Sequence, residues 1–580
     1  MHDIVIRGGT IVDGTGKPAF SGDVAIEGDR IVAVGGKQGP ARRDIDADGL
    51  LVTPGWVDVH THYDGQAMWD PLLAPSCWHG VTTVMFGNCG VGFAPVRAQH
   101  RGALMDLMEG VEEIPNAVLA DGLTWEWESF SDFLDALERR PRAIDVAAQI
   151  AHLPLRVYVM GDRAVRLEPA TAEDNAEMRR LTIEALRAGA FGFTTSRTDS
   201  HKTPAGDMVP SRNAEAEELL TIGSALGAVG AGAFGMNSDF DDEDYELAWL
   251  TRLARETRRP VWFLLTDRYE DPARWRRLLK AVHAARADGL SLTAQIAGRP
   301  IGVMMGVGTA LNPFTVRPSY RDIERLTLAE QRARLRDPEV RRRILAEKPA
   351  EAEVAKLAQF RQLITTRWDK FFVMGDPPDY EPAPEQSVTA IAAREGRTPD
   401  EVAYDYITEA DGHYLYFPVV NYVAGDHEPV REMLTDSGTL LGLSDGGAHC
   451  TSIVDAGLPS FMLTHWVRDR PHGRLPLELV VHKMSGATAE VYGMHDRGVL
   501  AAGKKADLNV IDLDRLQLHL PSMRYDLPAG GKRLTQRARG YCATVVSGQV
   551  TYRDGEPTGA LPGRLLRGGR DTGPAAHVGR

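Results

Sequence analysis

The sequence is poor in cysteine and contains no long apolar run. Its four cysteines, Cys77, Cys89, Cys450 and Cys542, are too few and too scattered for a disulfide framework in a chain of 580 residues. The sequence contains no uninterrupted apolar run of about 20 residues, which is the length needed to span a membrane. The first residues also lack the basic and apolar segments of a signal peptide. We therefore expect a cytoplasmic protein with no membrane partner.

The sequence also lacks a basic excess, since its formal net charge is −14. A surface that tracks nucleic-acid phosphates needs positive charge, so nucleic acid is not an expected partner. The length allows one large domain and an accessory one.

Both ends of the chain are patterned as short β-strands separated by glycine and aspartate. These runs cover residues 3–7, 10–12, 23–26, 30–34, 506–512, 543–547 and 549–552. Because chain termini commonly lie close together, residues 1–52 and 496–563 are predicted to form one small β domain. Residues 564–580 are rich in glycine and arginine and are predicted to be a loosely ordered tail.

Between the ends, over residues 53–495, apolar strands alternate with helix-like segments. The candidate strands are residues 51–59, 81–86, 145–150, 190–195, 228–234, 261–265, 290–296, 414–419 and 440–443. This alternation predicts an α/β fold with a parallel sheet, and eight or nine units predict a closed (β/α)8 TIM barrel. Its active site should lie at the C-terminal strand ends. Residues 305–400 are charged and helical in pattern, which predicts an insertion over the barrel mouth.

His60-Thr61-His62 ends the first candidate strand of this barrel. Side chains alternate along a strand, so the two imidazoles face the same way. Two neutral imidazoles so placed can hold a divalent metal ion, for which Zn²⁺ is the usual occupant.

Cys89 and Asp445 follow the second and the last candidate strands. Cys89 is interpreted as a thiolate ligand, with a buried inert thiol as the alternative. Asp445 is interpreted as a metal ligand and general base, with a turn-forming aspartate as the alternative. The catalytic interpretation is favoured because closing the barrel makes the strands of His60 and Asp445 neighbours.

Five further residues are candidates for substrate binding. His152 and His201 follow the third and fourth strands and could be ligands, transition-state donors, substrate contacts or ordinary loop histidines. Arg197 and Arg299 lie at strand ends, where a guanidinium can clamp a carboxylate. His449 lies in the same loop as Asp445.

Over nearly its whole length the chain resembles the amidohydrolase superfamily, and within it the N-acyl-D-amino-acid deacylases. The motifs that carry the resemblance include Val5-Ile6-Arg7-Gly8-Gly9-Thr10, Pro54-Gly55-Trp56-Val57-Asp58-Val59-His60-Thr61-His62, Gly87-Asn88-Cys89-Gly90, Ala188-Gly189-Ala190-Phe191-Gly192, Ser444-Asp445-Gly446 and Gly503-Lys504-Lys505-Ala506-Asp507-Leu508. The resemblance implies a metal-bearing TIM barrel beside a β-sandwich built from both termini, in a homo-oligomer. It also implies that His60, His62 and Cys89 are ligands and that Asp445 is both ligand and proton shuttle.

The chain departs from this family at two places. Many members bridge two metals with a carboxylated lysine, but no lysine occurs between Lys37 and Lys202. The deacylases also supply histidines after strands five and six, and here residues 235–239 and 265–268 contain none. A mononuclear Zn²⁺ site is therefore favoured over a binuclear one. His152, His201, Asn237 and Asp239 are the candidate replacements for the absent ligands.

The function expected from these residues is metal-dependent hydrolysis of a linear amide. The small-molecule substrate would be an N-acyl amino acid or a peptide-like compound, cleaved by metal-activated water. A cyclic amidase or deaminase on the same scaffold is the enzymatic alternative. A non-catalytic binding protein that has lost metal ligands is the other.

Overall fold

The computed structural model describes residues 1–350 and 363–569. Residues 351–362 of the predicted insertion and residues 570–580 of the predicted tail lie outside these ranges. Among the helices of the described ranges, none combines the length and the apolar character needed to cross a bilayer.

Parallel strands separated by helices form the centre of the molecule. In chain order they are β1 (Trp56–Asp58), β2 (Val81–Phe86), β3 (Asp145–Ala148 with Ile150–Ala151), β4 (Gly192–Arg197), β5 (Ala233–Ser238), β6 (Val261–Leu264), β7 (Leu292–Ile296) and β8 (Thr439–Leu441). The first part of β3 belongs to a three-stranded sheet with the strand order β1-β2-β3. Its second part belongs to a six-stranded sheet with the strand order β3-β4-β5-β6-β7-β8. A parallel bridge between Thr61 and Gly446 joins the chain just after β1 to the chain just after β8. The mixed α/β class is thus confirmed.

Helices lie between these strands and after β8, and three of them, Phe130–Glu138, Ala172–Ala188 and Glu243–Thr257, begin at a side-chain cap. Their bounds are Arg101–Glu112, Asn116–Gly122, Phe130–Glu138, His152–Met160, Asp162–Val165, Ala172–Ala188, Ala216–Val229, Glu243–Thr257, Arg274–Ala287, Glu428–Thr435, Leu458–Phe461, Leu477–Met484 and Gly486–Val491. Before Ala172–Ala188, the Thr171 hydroxyl accepts from the Asp174 amide at 3.2 Å, and the Asp174 carboxylate accepts from the Thr171 amide at 2.8 Å. This reciprocal cap satisfies two backbone donors that a helix start leaves free.

The strand predicted over residues 51–59 is two strands in two different sheets. Leu51–Pro54 pairs antiparallel with Leu508–Ile511, whereas β1 pairs parallel with β2. Gly55 lies between them, where an added Cβ would stand 2.2 Å from the Thr82 side chain. Only glycine fits this close approach, and the chain therefore changes sheets immediately before the two histidines.

Strands from both ends of the chain pair in one nine-stranded sheet. Its members are His2–Ile11, Phe20–Glu27, Arg30–Val34, Ala41–Asp46, Leu51–Pro54, Leu508–Ile511, Tyr541–Val546, Gln549–Arg553 and Glu556–Pro557. Val52, Val510 and Val545 are fully buried in the apolar core of this sheet. The terminal segments therefore stabilise one another, although more than 450 residues separate Leu51–Pro54 from Leu508–Ile511.

Within the segment 302–418, the described residues 302–350 and 363–418 pack around an apolar core of their own, which includes Phe314, Trp368 and Phe417. Their strands are Gly302–Met305, Phe372–Val373 and Leu415–Pro418, and their helices are Pro318–Glu324, Leu328–Leu335, Pro338–Ala346, Val388–Glu395 and Pro399–Glu409. The strand predicted over residues 414–419 belongs to this antiparallel sheet and not to the parallel one. Its apolar run resembles a barrel strand because it is buried in this second core.

A buried charge cluster connects the parallel strands to the C-terminal part of the chain. Asp145, the first residue of β3, is fully buried and accepts from Arg497 Nη1 at 2.7 Å and Lys505 Nζ at 2.8 Å. It also accepts from the backbone amide of Arg564 at 2.7 Å, and Leu565 bridges Val146. Residues 564–569 are thus held against β3, in contrast to the loose tail expected from their composition.

Asp145→Asn should destabilise the protein by about 3–5 kcal/mol, because it leaves the buried charges of Arg497 and Lys505 without their principal partner. Urea unfolding followed by circular dichroism measures this change. Asp48→Asn, at an exposed aspartate, is the control and should change stability by less than about 0.5 kcal/mol. Equal stability of the two variants would contradict the role given to Asp145.

Candidate metal centre

Four of the residues selected from sequence come together at the carboxyl ends of the parallel strands. His60 and His62 follow β1, Cys89 follows β2 and Asp445 follows β8. The backbone fixes their relative positions, because the His62 amide donates to the Gly446 carbonyl at 2.8 Å and the Asp445 amide donates to the His60 carbonyl at 3.2 Å. Neighbouring backbones thus bring together residues that lie far apart in sequence.

The side-chain atoms of this group converge without forming short hydrogen bonds. His60 Nε2 lies 3.4 Å from Cys89 Sγ and 3.4 Å from Asp445 Oδ1, and His62 Nε2 lies 3.6 Å from the same Asp445 oxygen. Asp445 Oδ1 is buried and has no hydrogen-bond partner in the described part of the chain. Ligand atoms on a tetrahedral zinc ion with bonds of about 2.0–2.1 Å are separated by about 3.3 Å. The spacing therefore suits donors that share one ion.

The protonation of His60 leaves its inner nitrogen free to bind an ion. His60 Nδ1 lies 2.6 Å from the Gln295 side-chain carbonyl, which can only accept. The proton is therefore on Nδ1, and Nε2 directs its lone pair toward Cys89 and Asp445. Burial lowers the pKa of His60 to about 4, so the ring is neutral at physiological pH. An outer hydrogen bond of this kind orients a metal-binding histidine.

Acidic groups surround His62 in a dry environment. Glu112 Oε1 lies 3.4 Å from His62 Nδ1, and the buried Asp64 Oδ2 lacks a hydrogen-bond partner within the described residues. Burial raises the pKa of Asp64 to about 7 and also raises that of Glu112. Burial, together with these carboxylates and Asp445, raises the pKa of the Cys89 thiol. Because buried charges need partners of opposite sign, this excess of acidic groups favours a bound cation.

His449 contributes positive charge at the edge of the group. Its Nε2 lies 3.7 Å from Glu112 Oε2, and its Nδ1 lies 3.7 Å from Glu113 Oε2. Burial lowers the pKa of His449, but the two glutamates outweigh burial and raise the pKa to about 9. His449 is therefore protonated at neutral pH and is an unsuitable metal ligand there.

The backbone around the centre is strained. Cys89, Leu443, Asp445 and His449 have φ values of 52°, 57°, 47° and 50°. For residues other than glycine this left-handed region costs about 1–3 kcal/mol each and is concentrated at functional sites. The surrounding contacts must therefore hold these residues in place.

His201 lies beside the centre, whereas the ends of β5 and β6 supply no imidazole. His201 Nδ1 lies 2.8 Å from Ser196 Oγ and its Nε2 lies 3.4 Å from Asn237 Nδ2. Burial is the largest cause that lowers the pKa of His201, to about 3, so this ring is neutral at physiological pH. Asp239 accepts from Thr198 at 2.7 Å and from Arg268 at 3.1 Å. Asp239 is thus engaged outside the group.

His152 and Arg197 are both occupied by buried glutamates. His152 Nδ1 lies 2.8 Å from Thr195 Oγ1 and its Nε2 lies 2.9 Å from Glu218 Oε1, so both ring nitrogens are used. Arg197 Nε donates to Glu246 at 2.9 Å. The structure therefore places neither side chain in the group with His60. Their positions after β3 and β4 suggested a site role because sequence does not show what an adjacent helix contributes.

Arg299 contacts Asp455, which lines a cleft next to the centre. The lining of this cleft also includes Asp445, Gly447 and Arg533. Arg299 Nη2 donates to Asp455 at 2.8 Å, and its guanidinium lies 4.0 Å from the centre of the Tyr380 ring. Its Nε and Nη1 make no hydrogen bond to the described residues.

The sequence profile of the Amidohydrolase family matches residues 43–552. The chain belongs to the Amidohydrolase family. It is 29% identical over 577 residues to a D-aminoacylase of Alcaligenes xylosoxydans xylosoxydans, covering 97% of each chain. It is 28% identical to an N-acyl-D-aspartate deacylase of the same organism, covering 98% of this chain and 95% of that one. The resemblance inferred from the motifs is confirmed. The predicted enzyme class, a hydrolase acting on carbon–nitrogen bonds, is also confirmed.

A solved structure of D-aminoacylase, from work on the functional role of its binuclear metal centre, is also similar to this amidohydrolase. The two share 25% sequence identity, with a TM-score of 0.64 over 98% of this chain and 100% of that one.

Sequence inspection of this amidohydrolase missed the groups around the four donors. Asp64 extends the alternation of His60 and His62 by two residues, which was a usable signal. Gln295 is a polar residue in an otherwise apolar strand, which was a weaker one. Glu112 ends a helix and has no signal in the sequence, because only the fold brings that helix end to His62.

His152→Gln should lower the free energy of unfolding by about 1–3 kcal/mol, since glutamine cannot satisfy both Thr195 and Glu218. The metal content should remain that of the unsubstituted enzyme. Chemical unfolding and elemental analysis measure the two quantities, and His283→Gln, at a 45% exposed side chain, is the control. Loss of metal on substituting His152 would place this residue in the centre after all.

Proposed function

We propose that this amidohydrolase cleaves the amide bond of N-acyl amino acids at a centre formed by His60, His62, Cys89 and Asp445. The observation that carries the proposal is the convergence of the buried donors of His60, His62 and Cys89, with an Asp445 oxygen 3.4 Å from His60 and 3.6 Å from His62 that has no hydrogen-bond partner in the described ranges. The similarity over nearly the full chain to proteins named D-aminoacylase and N-acyl-D-aspartate deacylase supports this substrate class.

The donor set fits one zinc-class ion. Two imidazole nitrogens, a thiolate and a carboxylate are ligands that Zn²⁺ accepts. A zinc ion bound there polarises an amide carbonyl and lowers the pKa of water. A mononuclear site is proposed because β5 and β6 end without histidine. For the binuclear centre of the similar D-aminoacylase, one-metal activation and second-metal attenuation are described.

Asp445 is the proposed proton carrier of the reaction. Burial raises its pKa, but His62 and His60 outweigh burial and lower it to about 2, so the side chain is a carboxylate at neutral pH. It can accept the proton of the attacking water and deliver it to the leaving nitrogen. His201 is neutral, its Nε2 accepts from Asn237 Nδ2 at 3.4 Å and its Nδ1 lies 2.8 Å from Ser196 Oγ, so it is assigned no proton transfer in this reaction.

Arg299 is the residue proposed to attract the substrate carboxylate. It donates to Asp455, which lines the cleft together with Asp445, and its buried Nε and Nη1 have no hydrogen-bond partner among the described residues. The positive charge of a guanidinium attracts a carboxylate. The ion pair with Asp455 holds Arg299 in position.

We also infer that β1 to β8 form a closed barrel with residues 302–418 beside its mouth. The Thr61–Gly446 bridge and the division of β3 between two sheets support closure. The amides of Met304 and Ala310 donate to the carbonyls of Ser452 and Thr451, just beyond the Asp445 loop, which supports the position of the insertion. The cytoplasmic location and the homo-oligomeric state stay predictions.

Purified enzyme should release free amino acid from N-acetyl amino acids, with the D series cleaved faster than the L series. A ninhydrin-type amine assay over matched D and L substrates measures this. Chelation should abolish activity, and added Zn²⁺ should restore it.

The same assay includes hydantoins and dihydropyrimidines. Faster opening of such a ring than cleavage of every N-acyl amino acid would support a cyclic amidase instead. Full activity after removal of all metal would contradict the metal-dependent mechanism.

Asp445→Asn should lower kcat by about 10²–10⁴-fold, because asparagine keeps the size of the side chain but cannot take up the water proton. The assay is made at saturating Zn²⁺ with metal content measured in parallel, so that lost binding and lost proton transfer are separated. Asp48→Asn is the surface control. Hydrolysis within twofold of the unsubstituted enzyme would exclude Asp445 as the base.

A further inference from the structure

A second group of metal-binding side chains lies outside the centre described above. Glu381 belongs to residues 302–418, His427 precedes the helix Glu428–Thr435, and His465 lies in the π-helix Met462–Asp469. Their donor atoms converge although they come from three separate segments. The group shares no residue with the His60 centre, and its argument does not depend on the proposed function.

The three donor atoms have the spacing of ligands on one ion. His465 Nε2 lies 3.0 Å from Glu381 Oε2, His427 Nδ1 lies 3.3 Å from His465 Nε2, and His427 Nδ1 lies 3.7 Å from Glu381 Oε2. Two neighbouring donors on a tetrahedral zinc ion are separated by about 3.3 Å. The triangle therefore needs only small side-chain adjustments to accept such an ion.

Outer hydrogen bonds orient two of the three donors. His427 Nε2 lies 2.9 Å from the Tyr380 carbonyl, which can only accept, so the ring proton is on Nε2 and Nδ1 presents its lone pair to the group. The His427 amide donates to Glu381 Oε1 at 2.7 Å and holds the carboxylate. A carbonyl behind a histidine and a bonded carboxylate are the outer partners that metal ligands commonly have.

Arg470 competes with a bound cation for the carboxylate of Glu381. Its Nε lies 2.9 Å from Glu381 Oε2 and its Nη2 lies 2.9 Å from Glu381 Oε1. Arg470 Nη1 also pairs with Glu428 at 2.8 Å, so its charge is shared between two carboxylates. Oε2 has a second lone pair, which now faces His465. A cation would take the place of the proton between Oε2 and His465 Nε2 and leave the arginine pair intact.

The π-helix supports a functional role for this position. Such helices are rare, and they are found frequently at functional sites. Within this one, the His465 ring stacks on Phe461 at 4.6 Å, which fixes its direction. The side chains of His465 and Glu381 are 15% and 14% exposed, so solvent reaches the group and water can complete the coordination of an ion.

We propose that Glu381, His427 and His465 form a binding site for a zinc-class divalent cation, which fastens residues 302–418 to the π-helix. Two imidazoles and one carboxylate favour Zn²⁺, Co²⁺ or Ni²⁺ over Mg²⁺ or Ca²⁺, which prefer all-oxygen sites. Because its ligands come from three segments that meet only in the folded chain, binding of the ion stabilises the folded state.

Cobalt is the probe that separates this site from the centre that contains Cys89. Co²⁺ bound at Cys89 gives a thiolate charge-transfer band, whereas Co²⁺ on two histidines and a glutamate gives only visible d–d absorption. In the unsubstituted full-length enzyme, one equivalent of Co²⁺ should bind that does not contribute to the thiolate band, in addition to any Co²⁺ bound at Cys89. His465→Gln should lose that equivalent and keep any thiolate band and the basal hydrolysis.

His472→Gln, at an exposed histidine seven residues away, is the matched control and should retain all bound metal. Equal Co²⁺ content in His465→Gln and His472→Gln would overturn the proposal. A second measurement uses the double variant His62→Ala/Cys89→Ala, in which the first centre is disabled. Its unfolding temperature should rise with micromolar Zn²⁺ and not with Mg²⁺, and an unchanged temperature with Zn²⁺ would also overturn the site.

Discussion

The backbone contact between the segments after β1 and β8 is the constraint on which the candidate centre depends. The Thr61–Gly446 bridge and the hydrogen bonds beside it hold the two segments side by side. His60 and His62 come from one segment and Asp445 from the other. Without this contact the carboxylate could not reach either imidazole. The apolar strands behind it provide the burial that makes a rigid backbone pairing possible.

Several features of the centre are unfavourable in free energy when considered alone. Left-handed backbone at Cys89, Asp445 and His449, together with the buried acids Asp64 and Glu112, is unfavourable in isolation. Packing elsewhere offsets this cost, including the apolar core of the terminal sheet. A cation at the convergence of these groups would remove most of the electrostatic part, which links metal binding to stability.

The segment 302–418 is the second structural unit that borders the functional groups of this amidohydrolase. The described residues of this segment have their own core, yet they contact the loop beyond Asp445 and contribute the Tyr380 carbonyl that orients His427. Tyr380 also lies against Arg299, at the edge of the cleft. This segment thus contacts the loop beyond Asp445 and also contributes Glu381 to the second group of donor side chains.

Much of the architecture is accessible from the sequence because it depends on periodic patterns. Apolar runs separated by helices predict the parallel strands, and β-branched runs at both ends predict the terminal strands. For residues 414–419 the pattern predicts the wrong sheet, since burial in a second core gives the same apolar run as burial in a barrel. For residues 51–59 it predicts one strand instead of two, because the crossing at Gly55 depends on its contact with Thr82.

Local sequence patterns are sufficient to identify the available donors: His60, His62, Cys89 and Asp445 follow strands and carry metal-binding atoms. Only the tertiary structure shows which other side chains lie at the centre and which are paired elsewhere. It pairs His152 with Glu218 and Arg197 with Glu246, and it brings Glu112, His449 and Gln295 to the centre. This division arises because a strand's position is encoded by local periodicity, whereas a side chain's partner depends on which helix or loop packs over it.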